Sequence, residues 1–353
     1  MATIHDVAKL AGVAPITVSR VINNSGYISD KTREKVQAVI SELGYVPNIL
    51  ARSLRSKRTN TLALVFTDIT NPFFTILARG VEDTASFAGF NVIFCNTDES
   101  QEKEDNYIQL LLQKQVDGIL LVPAGSNTKS IKVIQEQNTP LVVLDRRVSH
   151  SNVDIVRGDS EGGAYQLTKY LIDLGHRRIA IISGPRNVST AEDRILGYKR
   201  AMEESGLKEN LISYYGSFTQ TSGNDLTRKI FSHSPQPTAL FAANNLMAIG
   251  ALRALQDMGF MVPDDVAMVS FDDIPENLTI FPFMTVVTQP SYELGKRATE
   301  LLISRIKNDS ALDNQEIVFP VEFFERASSG GPINDTKKKD MRKPQSILLQ
   351  NGS

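Results

Sequence analysis

"TIHDVAKLAGVAPITVSRVIN", residues 3–23, decides the fold of the N-terminal part of the chain. Apolar side chains recur there at helical spacing after Thr3, an N-cap whose capping partner is Asp6. Gly12 ends this first helix, and Pro15 begins a second one. Two helices joined by a short glycine-containing turn are typical of a helix-turn-helix arrangement.

A third helical run, "SDKTREKVQAVISELGY", begins at Ser29 or Asp30 and ends at Gly44. A small three-helix bundle without a DNA-binding role is the alternative, but the polar outer face of the second helix favours a DNA reader. Residues 1–58 hold nine basic and four acidic side chains, a formal charge of +5, while the rest of the chain carries −7. A basic module on an acidic body favours a polyanionic partner.

These stretches, with "TREKVQAVISELGYVPN" and "ARSL", resemble the N-terminal module of the lactose-repressor (LacI/GalR) family over nearly all of residues 3–58. The resemblance implies that the second helix enters the major groove of DNA, where Arg20 reaches a guanine edge and Ile16 touches a thymine methyl. The family usually has Ser where this chain has Ala14, so an N-cap worth about 1 kcal/mol is lost. The residues expected to contact DNA are Thr3, Pro15, Ile16, Thr17, Ser19, Arg20, Asn23, Tyr45, Asn48, Ala51, Leu54 and Arg55.

The segment "PNILARSLRSKRTN", residues 47–60, is read as a hinge. Its helix-like part is too short to be stable alone, and a solvated linker is the alternative. In the resembled family this segment becomes a helix on operator DNA, where two copies pack in the minor groove. Leu54 is then the apolar wedge that unstacks a base step.

From Thr61 onward, short apolar strands such as "TLALVF", "GILLVP" and "PLVVLD" alternate with amphipathic helices, and a second series begins at "RIAIISG". This alternation predicts two α/β lobes with parallel, doubly wound sheets and a cleft between them. Ligands of such sheets bind beyond the carboxyl ends of the strands. Carboxylate, guanidinium, amide and aromatic groups follow these strands, which is typical of a sugar site.

The body, residues 61–327, is similar to the periplasmic sugar-binding fold of the same family and most similar to its ribose-binding type. The residues expected to bind the effector are Asn71, Phe73, Phe74, Asp145, Arg146, Arg194, Phe218, Asn244, Asp272 and Gln289. Two alternatives are core packing for Phe73 and Phe74 and a surface ion pair for Asp145–Arg146. Two departures, an asparagine missing after "GILLVP" and Asn245 in place of Asp, bear on which sugar fits.

Composition narrows the class of protein. No apolar run reaches the length of a membrane span and no signal-peptide core is present, so a cytoplasmic protein is expected. The single cysteine, Cys95, is predicted to be a buried strand thiol and excludes an intramolecular disulfide. The four histidines are scattered and no phosphate loop or nucleophile elbow occurs, so neither an enzyme, a cofactor nor a metal is expected.

The sequence therefore predicts a sugar-responsive, homodimeric transcriptional repressor that binds pseudo-palindromic operator DNA, with a pentose such as ribose as inducer. A regulator answering to a purine or a phosphorylated carrier protein is the alternative, and an α/β sugar enzyme with an appended DNA module is a remoter one. The expected divisions are 1–46 for the DNA-binding domain, 47–60 for the hinge, 61–330 for the effector and dimerisation domain, and 331–353 for a disordered tail. Lobe 1 spans 61–158 and 289–318, and lobe 2 spans 159–288 and 319–330.

Overall fold

The computed structural model describes residues 2–46, 58–148, 152–274, 282–307 and 313–331. Its contacts divide the chain into two compact units, Met1–Thr59 and Asn60–Ser353. The hinge residues 47–57 and the tail beyond 331 lie outside the described residues, so the expectations for them remain sequence predictions.

The first unit contains three helices, α1 (Ile4–Ala11), α2 (Pro15–Ile22) and α3 (Asp30–Glu42). Thr3 caps α1 in a reciprocal capping box with Asp6, as predicted, and Gly12 ends the helix at φ 62°. Such a left-handed backbone suits a glycine. The three helices enclose a small core of valine and alanine side chains, namely Val7, Ala8, Ala11, Val18, Val21, Val36 and Val39.

The first lobe of the second unit is built on a six-stranded parallel sheet of order β11-β5-β4-β3-β1-β2. Its strands are β1 (Thr61–Phe66), β2 (Asn91–Asn96), β3 (Gly118–Leu121), β4 (Leu141–Leu144), β5 (Asp154–Gly158) and β11 (Glu316–Phe319). Its helices are α4 (Pro72–Phe87), α5 (Gln101–Gln113), α6 (Lys129–Glu136) and α11 (Ser291–Lys307). Apolar clusters cover both faces of the sheet, as a parallel sheet requires.

The second lobe has the sheet order β12-β10-β9-β8-β6-β7, in which only β12 runs antiparallel. Its strands are β6 (Ile179–Ser183), β7 (Ile212–Tyr215), β8 (Ala239–Ala242), β9 (Ala267–Phe271), β10 (Thr285–Thr288) and β12 (Glu322–Phe324). Its helices are α7 (Ser160–Asp173), α8 (Ser189–Glu204), α9 (Gln220–Phe231) and α10 (Asn245–Asp257), with short 3₁₀ turns at Lys208–Asn210 and Ala327–Ser329.

The chain crosses between the lobes after β5, after β10 and after β11. The predicted fold class, a helix-turn-helix module followed by a two-lobed parallel α/β body, is confirmed. Cys95 is a buried thiol on β2, as predicted, and burial raises its pKa to about 11.

Candidate effector cleft and DNA-reading face

The outer face of α2 presents the predicted DNA-contacting side chains. Ile16 is 48% exposed, and Arg20, one helical turn later, is exposed beside it. Asn23 is also exposed and donates from Nδ2 to the carbonyl of Ser19 at 2.8 Å. Ala14 provides no side-chain cap to the helix, because its methyl group cannot accept a hydrogen bond.

The remaining residues predicted to contact DNA occupy different settings. Pro15 opens α2, while Thr17, Ser19 and Tyr45 are half-buried. The hydroxyl of Thr3 donates to Asp6 at 2.7 Å within the capping box. Four further predicted contacts lie outside the described residues, namely Asn48, Ala51, Leu54 and Arg55.

In the second unit, a cavity of about 380 Å³ opens between the carboxyl ends of the two sheets. This volume is within the range of small-molecule sites. Nine of the ten residues predicted to bind an effector line it, namely Asn71, Phe73, Phe74, Asp145, Arg146, Arg194, Phe218, Asn244 and Asp272. The tenth, Gln289, lies behind Asp272 and donates to both of its carboxylate oxygens, at 3.1 and 3.4 Å.

Lobe 1 contributes a buried Asp–Arg pair directly after β4. Asp145 has φ 62°, and burial raises the pKa of its carboxyl to about 6, although Arg146 and Arg194 act to lower it. Arg146 is 3% exposed, so the surface ion pair considered for these two residues is wrong. Its terminal nitrogens donate to both carboxylate oxygens of Glu99 at 2.6 and 2.7 Å, and Nη1 also donates to the carbonyl of Pro123 at 2.6 Å.

Lobe 2 places Arg194 of α8 against Asp272, which follows β9. Their nearest nitrogen and oxygen are 3.6 Å apart, and the guanidinium lies 3.8 Å from the centre of the Phe271 ring. Arg194 also donates to the carbonyl of Ala243 at 2.5 Å. Burial lowers the pKa of Arg194, although the negative charge of Asp272 acts to raise it. Burial likewise raises the pKa of Asp272, although the positive charge of Arg194 acts to lower it.

Three aromatic residues line the cavity, and two of them also belong to the core of lobe 1. Phe73 and Phe74 are buried in the lobe 1 core, with ring centres 5.0 Å apart in an edge-to-face arrangement, and they also line the cavity. Phe218 is half-buried on the opposite wall, against Gly184. A Cβ at Gly184 would come within 2.3 Å of that ring, so this close approach requires glycine.

Two asparagines at strand ends cap the helices that follow them. Asn71 accepts from the N–H of Phe73 at 3.0 Å and Asn244 from that of Met247 at 2.8 Å. Asn245 of lobe 2 donates from Nδ2 to Asn71 Oδ1 of lobe 1 at 3.2 Å, and to the carbonyl of Asp273 at the same distance. The pair Asn71–Asn245 therefore joins the lobes inside the cleft.

A second link between the lobes involves Arg147, which directly follows the Asp145–Arg146 pair. Its backbone N–H donates to Ser189 Oγ at 2.7 Å and its guanidinium pairs with Asp193, both on α8. Arg147 follows Arg146 and Asp193 precedes Arg194, so each end of this link is next in sequence to an arginine that lines the cavity.

Seven buried side-chain polar atoms have no hydrogen-bond partner among the described residues. Four of them belong to residues that line the cavity, namely the donors Arg146 Nε and Arg194 Nε, the acceptor Asp145 Oδ1 and the hydroxyl Thr67 Oγ1. Buried polar groups normally have partners. Donors and acceptors concentrated at one cavity therefore favour a ligand that both accepts and donates hydrogen bonds.

Several cavity residues were not among the predicted site residues, namely Thr67, Asp68, Thr70, Asp98, Glu99, Pro185, Thr190, Ser217 and Thr219. Asp98 and Glu99 follow β2, so the strand-end rule that selected Asp145 and Asp272 also covers them. Asp273, next to Asp272 in sequence, pairs with Arg326 at 2.6 Å.

One buried histidine, the potential metal ligands and the lengths of the helices bear on other classes of protein. His176 is buried beside Thr238, and burial lowers its pKa to about 4. Within the described ranges, no group of three or more His, Cys, Asp or Glu side chains is placed to hold a metal ion. No helix in that part of the chain is long and apolar enough to cross a membrane.

Comparison with known protein families gives two adjacent matches. The family described as "Bacterial regulatory proteins, lacI family" matches residues 3–48, and "Periplasmic binding proteins and sugar binding domain of LacI family" matches residues 59–327. A ribose operon repressor of Halalkalibacterium halodurans is 40% identical over 95% of this chain and 99% of its own. A transcriptional repressor PurR of Vibrio atlanticus is 37% identical over 93% and 98%.

Solved structures agree with these matches. A lac repressor dimer bound to operator and an anti-inducer superposes with a TM-score of 0.81 at 27% identity, covering 93% of this chain and 99% of that one. A LacI family regulator from Enterococcus faecium with bound ribose superposes with a TM-score of 0.70 at 32% identity, covering 78% of this chain and all of that one.

Proposed function

Since the chain belongs to the lacI family of bacterial regulatory proteins, which are transcriptional repressors and not enzymes, we propose that a small uncharged sugar controls its binding to operator DNA. The sugar is a pentose such as ribose, and it acts as an inducer. The repressor binds a pseudo-palindromic operator as a homodimer.

The cavity between the lobes carries this proposal. A sugar hydroxyl donates and accepts hydrogen bonds at once, which matches Arg146 Nε and Arg194 Nε together with Asp145 Oδ1 and Thr67 Oγ1. Phe73, Phe74 and Phe218 offer apolar surface to the C–H groups of a sugar ring. The ribose operon repressor among the relatives and the ribose-bound structure support a pentose.

A purine is the second candidate, because a PurR repressor is nearly as similar as the ribose operon repressor. A planar base has few hydroxyl-like groups to satisfy two arginines and two aspartates on opposite walls. A phosphorylated ligand would meet five carboxylates, those of Asp68, Asp98, Glu99, Asp145 and Asp272, against two arginines. These charges favour an uncharged ligand.

Calorimetry of the purified full chain tests the effector class directly. The titrants are ribose, other pentoses, hexoses, ribose 5-phosphate, hypoxanthine and guanine. We expect a free pentose to bind more tightly than the other classes. Tighter binding of a purine, or turnover of any sugar, would contradict the proposal.

DNA reading is assigned to Arg20 on the exposed face of α2. Arg20→Ala is expected to cost about 1–3 kcal/mol on operator DNA and to relax one base position in each half-site. Operator titration at fixed salt, with scrambled DNA of equal length as the control, measures this. An equal loss on both DNAs would show that Arg20 touches only phosphate.

Coupling between sugar and DNA is assigned to the hinge segment, whose residue Leu54 lies outside the described residues. When the lobes close on sugar, the two hinge segments of the dimer separate and cannot persist as short helices. Coupling of about 1–3 kcal/mol would weaken operator binding 5–150-fold. Leu54→Ala is expected to reduce both operator affinity and its response to sugar, with sugar affinity unchanged. Tighter operator binding with sugar would make the sugar a corepressor.

A further inference from the structure

Glu99 accepts hydrogen bonds from Arg146, the arginine of lobe 1, and the sequence did not predict this contact. Glu99 follows β2, and both Asp98 and Glu99 have positive φ, 51° and 58°. The two carboxylate oxygens of Glu99 accept from the two terminal nitrogens of Arg146. Both residues line the cavity.

This contact fills the pair of terminal nitrogens of Arg146. Arginine recognises phosphate and carboxylate groups through two parallel N–H bonds from its planar fork. The bonds to Glu99 and to the Pro123 carbonyl use both N–H groups of Nη1 and one N–H group of Nη2, so the Nε N–H and the second Nη2 N–H are left for a ligand. These two N–H groups suit hydroxyl oxygens, whereas a phosphate would also need the positive charge that Glu99 already pairs with.

The charge of Arg146 is also compensated from within the protein. Burial acts against its charged form, but the charge and hydrogen bonds of Glu99, together with the charges of Asp145 and Glu104, raise the pKa of Arg146. The neighbouring Asp145 is 3.9 Å from Arg146 Nε, beyond hydrogen-bond distance. Glu99 is therefore the carboxylate that bonds this guanidinium directly.

We propose that Glu99 determines the charge selectivity of the effector site: it pairs with the guanidinium of Arg146, so that the site accepts a neutral sugar and rejects the phosphate ester of the same sugar. This proposal rests on the proposed function and names a specificity-determining residue within it. Glu99 acts in two ways, because it occupies two of the donors of Arg146 and compensates the positive charge of this guanidinium in the cavity.

Glu104 provides a matched control for the substitution. It is fully buried on α5, close enough to influence the charge of Arg146, yet it bonds elsewhere. Its Oε2 accepts from the N–H of Ala124 at 2.6 Å and its Oε1 from Gln101 Nε2 at 3.1 Å. Glu104→Gln removes a nearby negative charge without releasing the fork of Arg146.

The experiment is calorimetric titration of the full chain and of Glu99→Gln, Glu99→Asp and Glu104→Gln with ribose and with ribose 5-phosphate. In Glu99→Gln, ribose affinity is expected to fall about 3–10-fold while affinity for the ester rises, so that their ratio changes at least about tenfold. Glu99→Asp retains the charge and is expected to keep rejecting the ester. Glu104→Gln is expected to leave the ratio unchanged.

A purely structural role for Glu99 predicts a different result. Both ligands would then weaken together, and an unchanged ratio in Glu99→Gln would overturn the proposal. An equal change of ratio in Glu104→Gln would overturn it as well, because any nearby charge would then suffice. If the unmodified chain bound no pentose at all, the proposed function itself would fail and this inference with it.

Discussion

The two lobes place an aspartate in the same backbone setting and compensate its charge differently. Asp145 follows β4 and Asp272 follows β9, the strands that hold the third place in their respective sheets. Each aspartate has φ near 60°, and each N–H donates to a carbonyl of the neighbouring strand, Val156 or Val287. A shared fold thus presents two carboxylates to one cleft.

The difference lies in the partners of each carboxylate. Asp272 accepts from Gln289 and faces Arg194, whereas Asp145 has an oxygen without a hydrogen-bond partner in the described chain. In lobe 1 the adjacent arginine is bonded to Glu99 instead. Lobe 2 therefore holds a carboxylate supported by the protein, and lobe 1 holds one that depends on a ligand.

The largest expected effect is that of removing the arginine of lobe 2. Arg194→Ala leaves Asp272 and Asp145 facing each other without the cation between them, and it removes a donor to the ligand. We expect sugar affinity to fall by about 2–3 kcal/mol, roughly 30–150-fold. Calorimetry with ribose measures it.

Arg253→Ala, an exposed arginine on α10, is the matched control and is expected to bind sugar normally. Operator binding without sugar is expected to persist in both variants. A loss below about threefold in Arg194→Ala would mean that the two lobes do not differ as described.

The pH dependence of sugar affinity is expected to come from Asp145 in lobe 1. Hydroxyl groups that donate to Asp145 favour its ionised form, so bound sugar should lower a pKa that starts at about 6. Sugar binding near pH 6 is then expected to release a proton, and affinity is expected to fall below that pH by at most about tenfold per unit. Calorimetry in buffers of different ionisation enthalpy detects the proton.

The same carboxyl affects folding with the opposite dependence on pH. Its pKa is raised from 3.8 to about 6 in the native chain, so its ionisation costs stability as pH rises through that window. Asp145→Asn is therefore expected to be more stable than the unmodified chain at pH 7 and to release no proton on binding sugar. Proton uptake on sugar binding would contradict the assignment.

The smallest effect expected here concerns the contact between the lobes at Asn245. Asn245→Asp replaces an amide donor with a carboxylate that faces two acceptors, Asn71 Oδ1 and the Asp273 carbonyl. We expect a loss of sugar affinity of about 3–10-fold at pH 7, corresponding to one hydrogen bond. The ratio to the unmodified chain should recover as pH is lowered, because a protonated carboxyl can donate again.

Asn210→Asp is a suitable control for this change. Asn210 also donates its amide to a carbonyl, that of Arg177 at 3.1 Å, but this bond is exposed to solvent and Asn210 does not line the cleft. A loss in Asn245→Asp that does not change with pH would indicate general damage to lobe 2.

The sequence by itself determined the elements and the class of site. Thr3 with Asp6, Gly12 and Pro15 are local signals, because capping and backbone preference act over a few residues. Strand–helix alternation determined parallel sheets, and the position of polar residues after strands selected Asp145 and Asp272. These patterns depend on neighbours in the chain, which a sequence displays.

Only the tertiary structure decided which side chains pair with the polar and charged groups of the site. Glu99 lies 47 residues from Arg146, and Asn245 lies 174 residues from Asn71. The strand-end rule places Glu99 at the cleft but does not say that it fills the fork of Arg146. Likewise, the buried setting that raises the pKa of Asp145 arises from packing of both lobes. Distances of a few tenths of an ångström and exclusion of water control these properties, and both depend on contacts between distant parts of the chain.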